Sequence, residues 1–184
     1  MKSQKVLYSK GKNDECYTPS VGVKPILKHI ERYARLNKPK RGFLIVWCGF
    51  DKGYSEYVKQ ISELDNIIVV ASHIDYEQDF FTYEPEEWDI LVSNPPFSST
   101  KLIFDRALGF NKPFALLSNL ARMNDKNPMW CFFEAKRQPQ LLKFDKRIEF
   151  MQNNSKTKGK ITFQTGYICC DFLQRDLMLE RLNK

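Results

Sequence analysis

Two rhythms of apolar and polar residues alternate along most of this 184-residue chain. Residues 1–16 carry neither: they are polar and basic, and predict a mobile N-terminal arm, in the way of a frayed terminus. From Pro25, "PILKHIERYARLN" sets Ile26, Ile30, Tyr33 and Ala34 on one face at helical spacing. Pro25 reads as the first helical residue, where a missing N–H costs nothing. "GFLIVWC" (42–48) is a continuous apolar run of strand length, and "GFDKGY" a turn. "SEYVKQISEL" follows as a helix behind a Ser55 cap, with Tyr54, Tyr57, Val58, Ile61 and Leu64 as its stripe. "NIIVVAS" predicts a second buried strand, residues 72–87 an acidic and aromatic loop, and "WDILVS" a third strand. A helix over 99–109 and a strand "PFALLS" complete the series. Unbroken apolar strands alternating with helices predict a doubly wound α/β fold, its parallel sheet covered on both faces.

Beyond Asn119 the rhythm changes. "NLARMNDKNPM" reads as loop and residues 127–136 as a helix, while "LLKFDKRIEFM" and "KITFQTGYICCDF" read as strands. The Lys-rich "QNNSKTKGK" between them is a hairpin connection, so the sheet is expected to close with an antiparallel pair. "DLMLERL" reads as a short final helix. No internal repeat interrupts this order, and 17–184 is expected to be a single domain.

Charge adds a partner class. Lys and Arg total 29 against 22 Asp and Glu, a formal charge of +7, which favours a polyanion and equally serves solubility. The five cysteines, Cys16, Cys48, Cys131, Cys169 and Cys170, show no CxxC spacing. They read as reduced thiols of a cytosolic protein rather than as a disulfide framework or zinc site. With His29 and His73 as the only histidines, a His-rich metal site is not expected. Nothing reads as a signal peptide or a membrane span, so the expectation is a cytoplasmic protein with no membrane partner.

Ligands of an open parallel sheet bind beyond the carboxyl ends of its strands. Three loops there carry candidate chemistry: "CGFDKGYS", "SHIDYEQDFF" and "NPPFSS". In the first, Gly49 and Gly53 flank Asp51 ahead of a helix, which suits a nucleotide-like cofactor as well as it suits a plain strand-to-helix turn. Asp75 stands where doubly wound folds place a carboxylate for ribose hydroxyls, with His73 or simple surface exposure as alternatives. Asp79 and Phe80 offer a polar partner and a flat ring for an adenine, whereas Phe81 and Tyr83 suit a core equally well.

The third loop is the most telling. Asn94 has a side-chain carbonyl and Pro95 a backbone one, and the paired prolines Pro95 and Pro96 restrict the chain so that both acceptors point into the cleft. Two converging acceptors match an exocyclic amine with two hydrogens to donate. Phe97 adds a face for the heterocycle that carries the amine, an interaction worth roughly 1–3 kcal/mol per base.

These residues resemble a known family. "NPPF" looks like the fourth motif of amino-methyltransferases that use S-adenosylmethionine, and "NDECYTP" with "SNPPFS" is similar to small phage-type DNA adenine-N6 methyltransferases. The likeness runs from "YTP" through "VWCGFDKGYS", "SHIDYEQDFF" and "NKPFALL" to "ITFQTGYICC". It implies a Rossmann-like class I methyltransferase fold of about seven strands ending in an antiparallel hairpin, in a phage-encoded enzyme of the bacterial cytoplasm. Carried over by motif, Tyr17, Thr18 and Pro19 would cover the methionine end of the cofactor, and Gly49, Asp51 and Gly53 would line its methionine and sulfonium region. Asp75 would meet the ribose, and Asp79 with Phe80 the adenine. Asn94 and Pro95 would hold the target amine and Phe97 the target base. The chain departs from the family in its first motif, which has "CGFDKGYS" where a tighter FxGxG is usual.

Such a reaction needs no strong general base, because the amine loses its proton after gaining the methyl group. A duplex target must be flipped out at a cost of a few kcal/mol. Lys156, Lys158 and Lys160, with the basic arm, would supply salt-sensitive phosphate contacts, or merely a solvated hairpin. No separate target-recognition domain fits, so selectivity would come from loops 119–128 and 152–160, from a dimer or partner, or would be nearly absent. Alternatives are the same chemistry on an rRNA guanine amine or a glutamine side chain. A further alternative is a nucleic-acid-binding or host-enzyme-blocking protein that keeps the fold without transfer.

Overall fold

The computed structural model describes residues 16–37, 39–124, 126–152 and 164–182. Lys156, Lys158 and Lys160, and all of the basic arm except Cys16, lie outside the described residues. In chain order the elements are β1 (Cys16–Tyr17), α1 (Ser20–Leu36), β2 (Leu44–Cys48), α2 (Glu56–Ser62), β3 (Ile67–Ala71), β4 (Ile90–Ser93), α3 (Thr100–Gly109), β5 (Phe114–Asn119), α4 (Lys126–Glu134), β6 (Gln140–Phe144), β7 (Met151–Gln152), β8 (Thr165–Cys170) and β9 (Leu177–Glu180), with short 3-10 turns at Ile74–Tyr76, Phe97–Ser99 and Leu120–Asn124.

Seven strands form one sheet in the order β3-β2-β4-β5-β8-β6-β9. β2 runs parallel to β3 and β4, and β4 parallel to β5. β8 runs antiparallel to both β5 and β6, while β6 is parallel to β9. The expected α/β architecture is therefore present, mostly parallel, with its antiparallel strand inserted between β5 and β6. Alternation splits the core between the two faces: Leu44, Val46 and Cys48 of β2 pack toward the α1 and α2 layer, and Ile45 and Trp47 toward α3 and α4. No helix among the described residues is long and apolar enough to cross a membrane.

Several expectations are corrected. α1 begins at Ser20, not at Pro25, which lies inside the helix. Gly22 N–H closes the first turn on Pro19 O at 2.8 Å, and burial of Gly22, Val23, Pro25, Ile26, His29 and Ile30 outweighs the one backbone bond that a proline forfeits. Tyr54 is 57% exposed and stands outside the α2 stripe, although Ser55 caps α2 as expected, accepting from Val58 N–H at 3.2 Å. β3 is an edge strand with Ile68 turned to solvent, not a buried one, because among the described residues β2 is its only partner in the sheet.

The segment "DLMLERL" forms the strand β9 rather than a helix. Its exposed and half-buried residues alternate, and its pairing with β6 satisfies backbone groups that the sheet edge would otherwise leave open. "LLKFDKRIEFM" is not one strand either: after β6 the chain leaves the sheet and ends in β7, paired antiparallel with β1. Gly166 shows how tightly β8 is inserted, since a Cβ there would meet Leu142 O at 2.6 Å and Leu120 Cδ1 at 2.8 Å. Gly166→Ala is accordingly expected to destabilise by about 1–3 kcal/mol, read as a lowered midpoint in urea unfolding.

Candidate active site

From β3 at the edge, the chain crosses over β2 to form β4 on its other side, so the strand order reverses between β2 and β4, the place at whose carboxyl ends sheets of this kind bind ligands. The loop after β2 is two consecutive turns, with Asp51 N–H on Cys48 O at 3.4 Å and Ser55 N–H on Lys52 O at 2.8 Å. These turns send the side chains of Asp51 and Lys52 to different partners.

Asp51 is 7% exposed and accepts a short hydrogen bond from Ser93 Oγ, at the end of β4. The Asn94 backbone N–H and the Ser55 side chain also bind the carboxylate. Ser93 Oγ in turn accepts from Phe50 N–H at 3.0 Å. Burial pushes the Asp51 carboxyl up to about 6, against those hydrogen bonds, which pull it back. The result is a lock between the first and third loops: the residue before Asn-Pro-Pro donates a buried hydrogen bond to the residue after Gly49-Phe50. Ser93 was not among the residues singled out from sequence. The available signal was a lone hydroxyl in the apolar run "DILVS", directly before Asn94.

Tyr17, Thr18 and Pro19, which the resemblance assigns to the methionine end of the cofactor, lead directly into α1. Pro19 precedes α1 as its N-cap residue. A Cβ on Gly22 would lie 2.9 Å from Thr18 Cγ2, so the helix start presses directly on Thr18. Tyr167 OH donates to Gly22 O at 3.2 Å, which leaves Tyr57 OH to donate to Tyr167 OH at 2.8 Å. Thr18 Oγ1 is buried without a well-formed hydrogen bond, though it is near enough to the Tyr57 hydroxyl to favour its ionised form. Tyr17 is close enough to Lys52 to raise its proton affinity.

Asp75, in the turn after β3, is half exposed and bound by Lys52 Nζ at 2.7 Å, which holds its carboxyl below the usual range. Its own N–H donates to His73 Nδ1 at 3.1 Å. Asp79 Oδ1 accepts from Phe81 N–H at 3.0 Å and shapes the following turn. Phe80 is 1% exposed, with its ring against Trp47 at 5.4 Å and Phe50 at 4.3 Å. It therefore forms the floor under the first loop rather than an open face. Gly49 lies on that floor: a Cβ would meet Phe80 at 3.0 Å and Leu91 at 3.1 Å. Gly53 has open space around it.

In the third loop Pro95 is buried and Asn94, Pro96 and Phe97 are half-buried. The Asn94 side-chain oxygen is itself enclosed. Thr100 Oγ1 donates to Phe97 O at 3.0 Å and folds the loop into α3. The Phe97 ring meets Phe150 edge-on at 6.2 Å. Behind the loop, Pro95, Pro96, Thr100, Phe104 and Pro128 line a crevice of about 10 Å³, the size of a single water. Compared with known proteins, the chain matches no family model and no curated sequence.

Proposed function

We propose that this chain is a class I, S-adenosylmethionine-dependent methyltransferase that acts on the exocyclic N6 amine of adenine in DNA. The observation that carries the reading is the lock of Ser93 and Asp51, which ties the Asn-Pro-Pro-Phe loop to the loop after β2 at the crevice of an α/β sheet. Asn94 and Pro95 would accept the two amine hydrogens, so that the nitrogen lone pair faces the crevice. Pro96 stiffens the pair, and Phe97 offers its ring to the base.

The chemistry of the donor set fits the cofactor. Asp75 is an acceptor suited to a ribose hydroxyl, Asp51 and Lys52 are opposite charges on one loop, and Thr18 Oγ1 is a buried polar atom that lacks a well-formed bond. When bound, S-adenosylmethionine supplies an activated methyl on a sulfonium. The chain has then mainly to hold and align the amine, an ordering that contributes much of the rate in such reactions. No histidine or lysine base is required of it.

The positive charge of the chain favours a polyanionic substrate and leaves DNA and RNA to be separated by experiment. Incubation with methyl-labelled cofactor is expected to put label into DNA, less of it as salt rises; label confined to added protein would end this reading. Gly53→Ala provides a second check. Because nothing stands near its Cβ, it is expected to shift stability by less than about 0.5 kcal/mol. If the cofactor lies against that backbone, calorimetry will show weaker binding of S-adenosylhomocysteine by Gly53→Ala at unchanged melting temperature.

A further inference from the structure

A doubly wound sheet needs cover on both faces, because its strands are apolar throughout. On one face α3 and α4 meet that need over β4, β5 and β8: Phe132 of α4 sets its ring against Phe114 at 6.0 Å and shares a core cluster with Leu116 and Ile168. The cover thins at β6, where Leu141 still packs partly against that cluster, and is lost at β9. Leu142 and Met178 pack toward the α1 and α2 layer, so by alternation Leu141, Lys143, Leu177 and Leu179 share the other face. Register sets Leu177 beside Leu141 and Leu179 beside Lys143. Leu177 is 53% exposed and Leu179 73%.

α4 stands on this same face, and its outer side carries Trp130, 43% exposed, and Phe133, 73% exposed. The two rings stack at 5.6 Å and form one plate. Phe133 and Leu179 are the most exposed large apolar side chains among the described residues. A groove of about 500 Å³ runs from Met129 and Phe133 past Lys136 to Pro139, directly before β6. Apolar side chains left open in this number mark a binding face. The charges beside them are mixed: Glu134 and Lys136 are both exposed, and Arg137 is spent on Asp171, so a polyanion finds no basic stripe here.

The shape of the face selects its occupant. A helix about 10 Å thick beside bare sheet makes a step, and a two-fold axis along the edge of a step lays ridge into hollow twice over. We infer that this step is the contact between two copies of the chain, with the Trp130 and Phe133 plate of each laid on the Leu177 and Leu179 strip of the other. The contact is independent of the methyl-transfer reading.

The test is sedimentation equilibrium on the full chain over about 1–100 μM, where the parent is expected to pass from one copy to two. Phe133→Lys and Leu179→Glu each put a charge into the contact twice, and each is expected to weaken pairing about a hundredfold or more. Both residues are exposed, so circular dichroism should show both variants folded; Leu179→Thr, which keeps a strand former, replaces the acidic variant if it does not fold. A mixture of Phe133→Lys with Leu179→Glu keeps one ridge and one hollow apolar and sets lysine toward glutamate at the other, so it is expected to recover pairs that neither forms alone. A parent that stays single throughout, pairs that both substitutions leave intact, or variants that pair no better mixed than apart would overturn the proposal. A single parent that binds a DNA or RNA oligonucleotide which both variants fail to bind would overturn it too, and give the face to nucleic acid.

Discussion

Asn94→Ala is expected to lower methyl transfer to DNA by about 10²–10³-fold while S-adenosylhomocysteine still binds within about twofold of the parent. The magnitude is that of removing one preorganised polar contact to a reacting group. The separation of effects comes from where the residue sits. Its backbone N–H is already used by Asp51, and alanine retains that bond. The side chain lies past the end of β4, outside the two apolar clusters that hold the sheet to its helices. The substitution therefore removes an acceptor for the amine without loosening the lock. Ser93→Ala should do the reverse. It deletes the hydroxyl shared by Asp51 and Phe50 N–H, leaves two buried polar groups short of a partner, and is expected to cost about 1–3 kcal/mol of stability in urea unfolding.

A second large effect is expected in pH dependence. The Asp51 carboxyl is raised from 3.8 to about 6 by burial, so the folded chain holds its proton more tightly than the unfolded one. The resulting contribution to stability is fully present below about pH 4 and is lost as pH rises through about 6, a difference of about 3 kcal/mol. Asp75 and Asp105 are shifted the other way, chiefly by Lys52 for Asp75, and their contributions fade only as pH falls below the ordinary carboxylate range. The Asp51 effect falls between about pH 4 and 6, where His29 acts in the opposite sense, because burial holds its imidazole below the ordinary value and folding must strip its proton. In urea unfolding the Asp51 share is therefore read as the stability difference between the parent and Asp51→Asn, which is expected to shift against the parent as pH rises from about 4 to 6.

The parallel half of the fold is legible in the sequence because β2, β4 and β5 are covered on both faces and must be apolar throughout. The same property made β3 look like its neighbours: "NIIVVAS" has an equally apolar run and an edge position. β9 was misread for the opposite reason, since Leu177, Met178 and Leu179 carry no visible alternation and only the open edge of β6 decides their pairing. The three loops draw attention in the sequence because strand ends in such sheets bind ligands, and Asn94 because it stands out locally between Ser93 and two prolines. Ser93 to Asp51 and Lys52 to Asp75 are contacts across 42 and 23 positions, and no local pattern announces them. Phe80 shows the converse, an aromatic whose loop position suggests a ligand face and whose packing against Trp47 and Phe50 spends it on the core.

The most direct measurement is nucleoside mass spectrometry on DNA and on RNA after each is incubated with the parent protein and isotopically labelled S-adenosylmethionine. The account predicts label in N6-methyladenine from DNA, and its near disappearance with Asn94→Ala. Label in methylguanosine from RNA without any in adenine, or no label in either polymer despite clear binding of the cofactor, would contradict it.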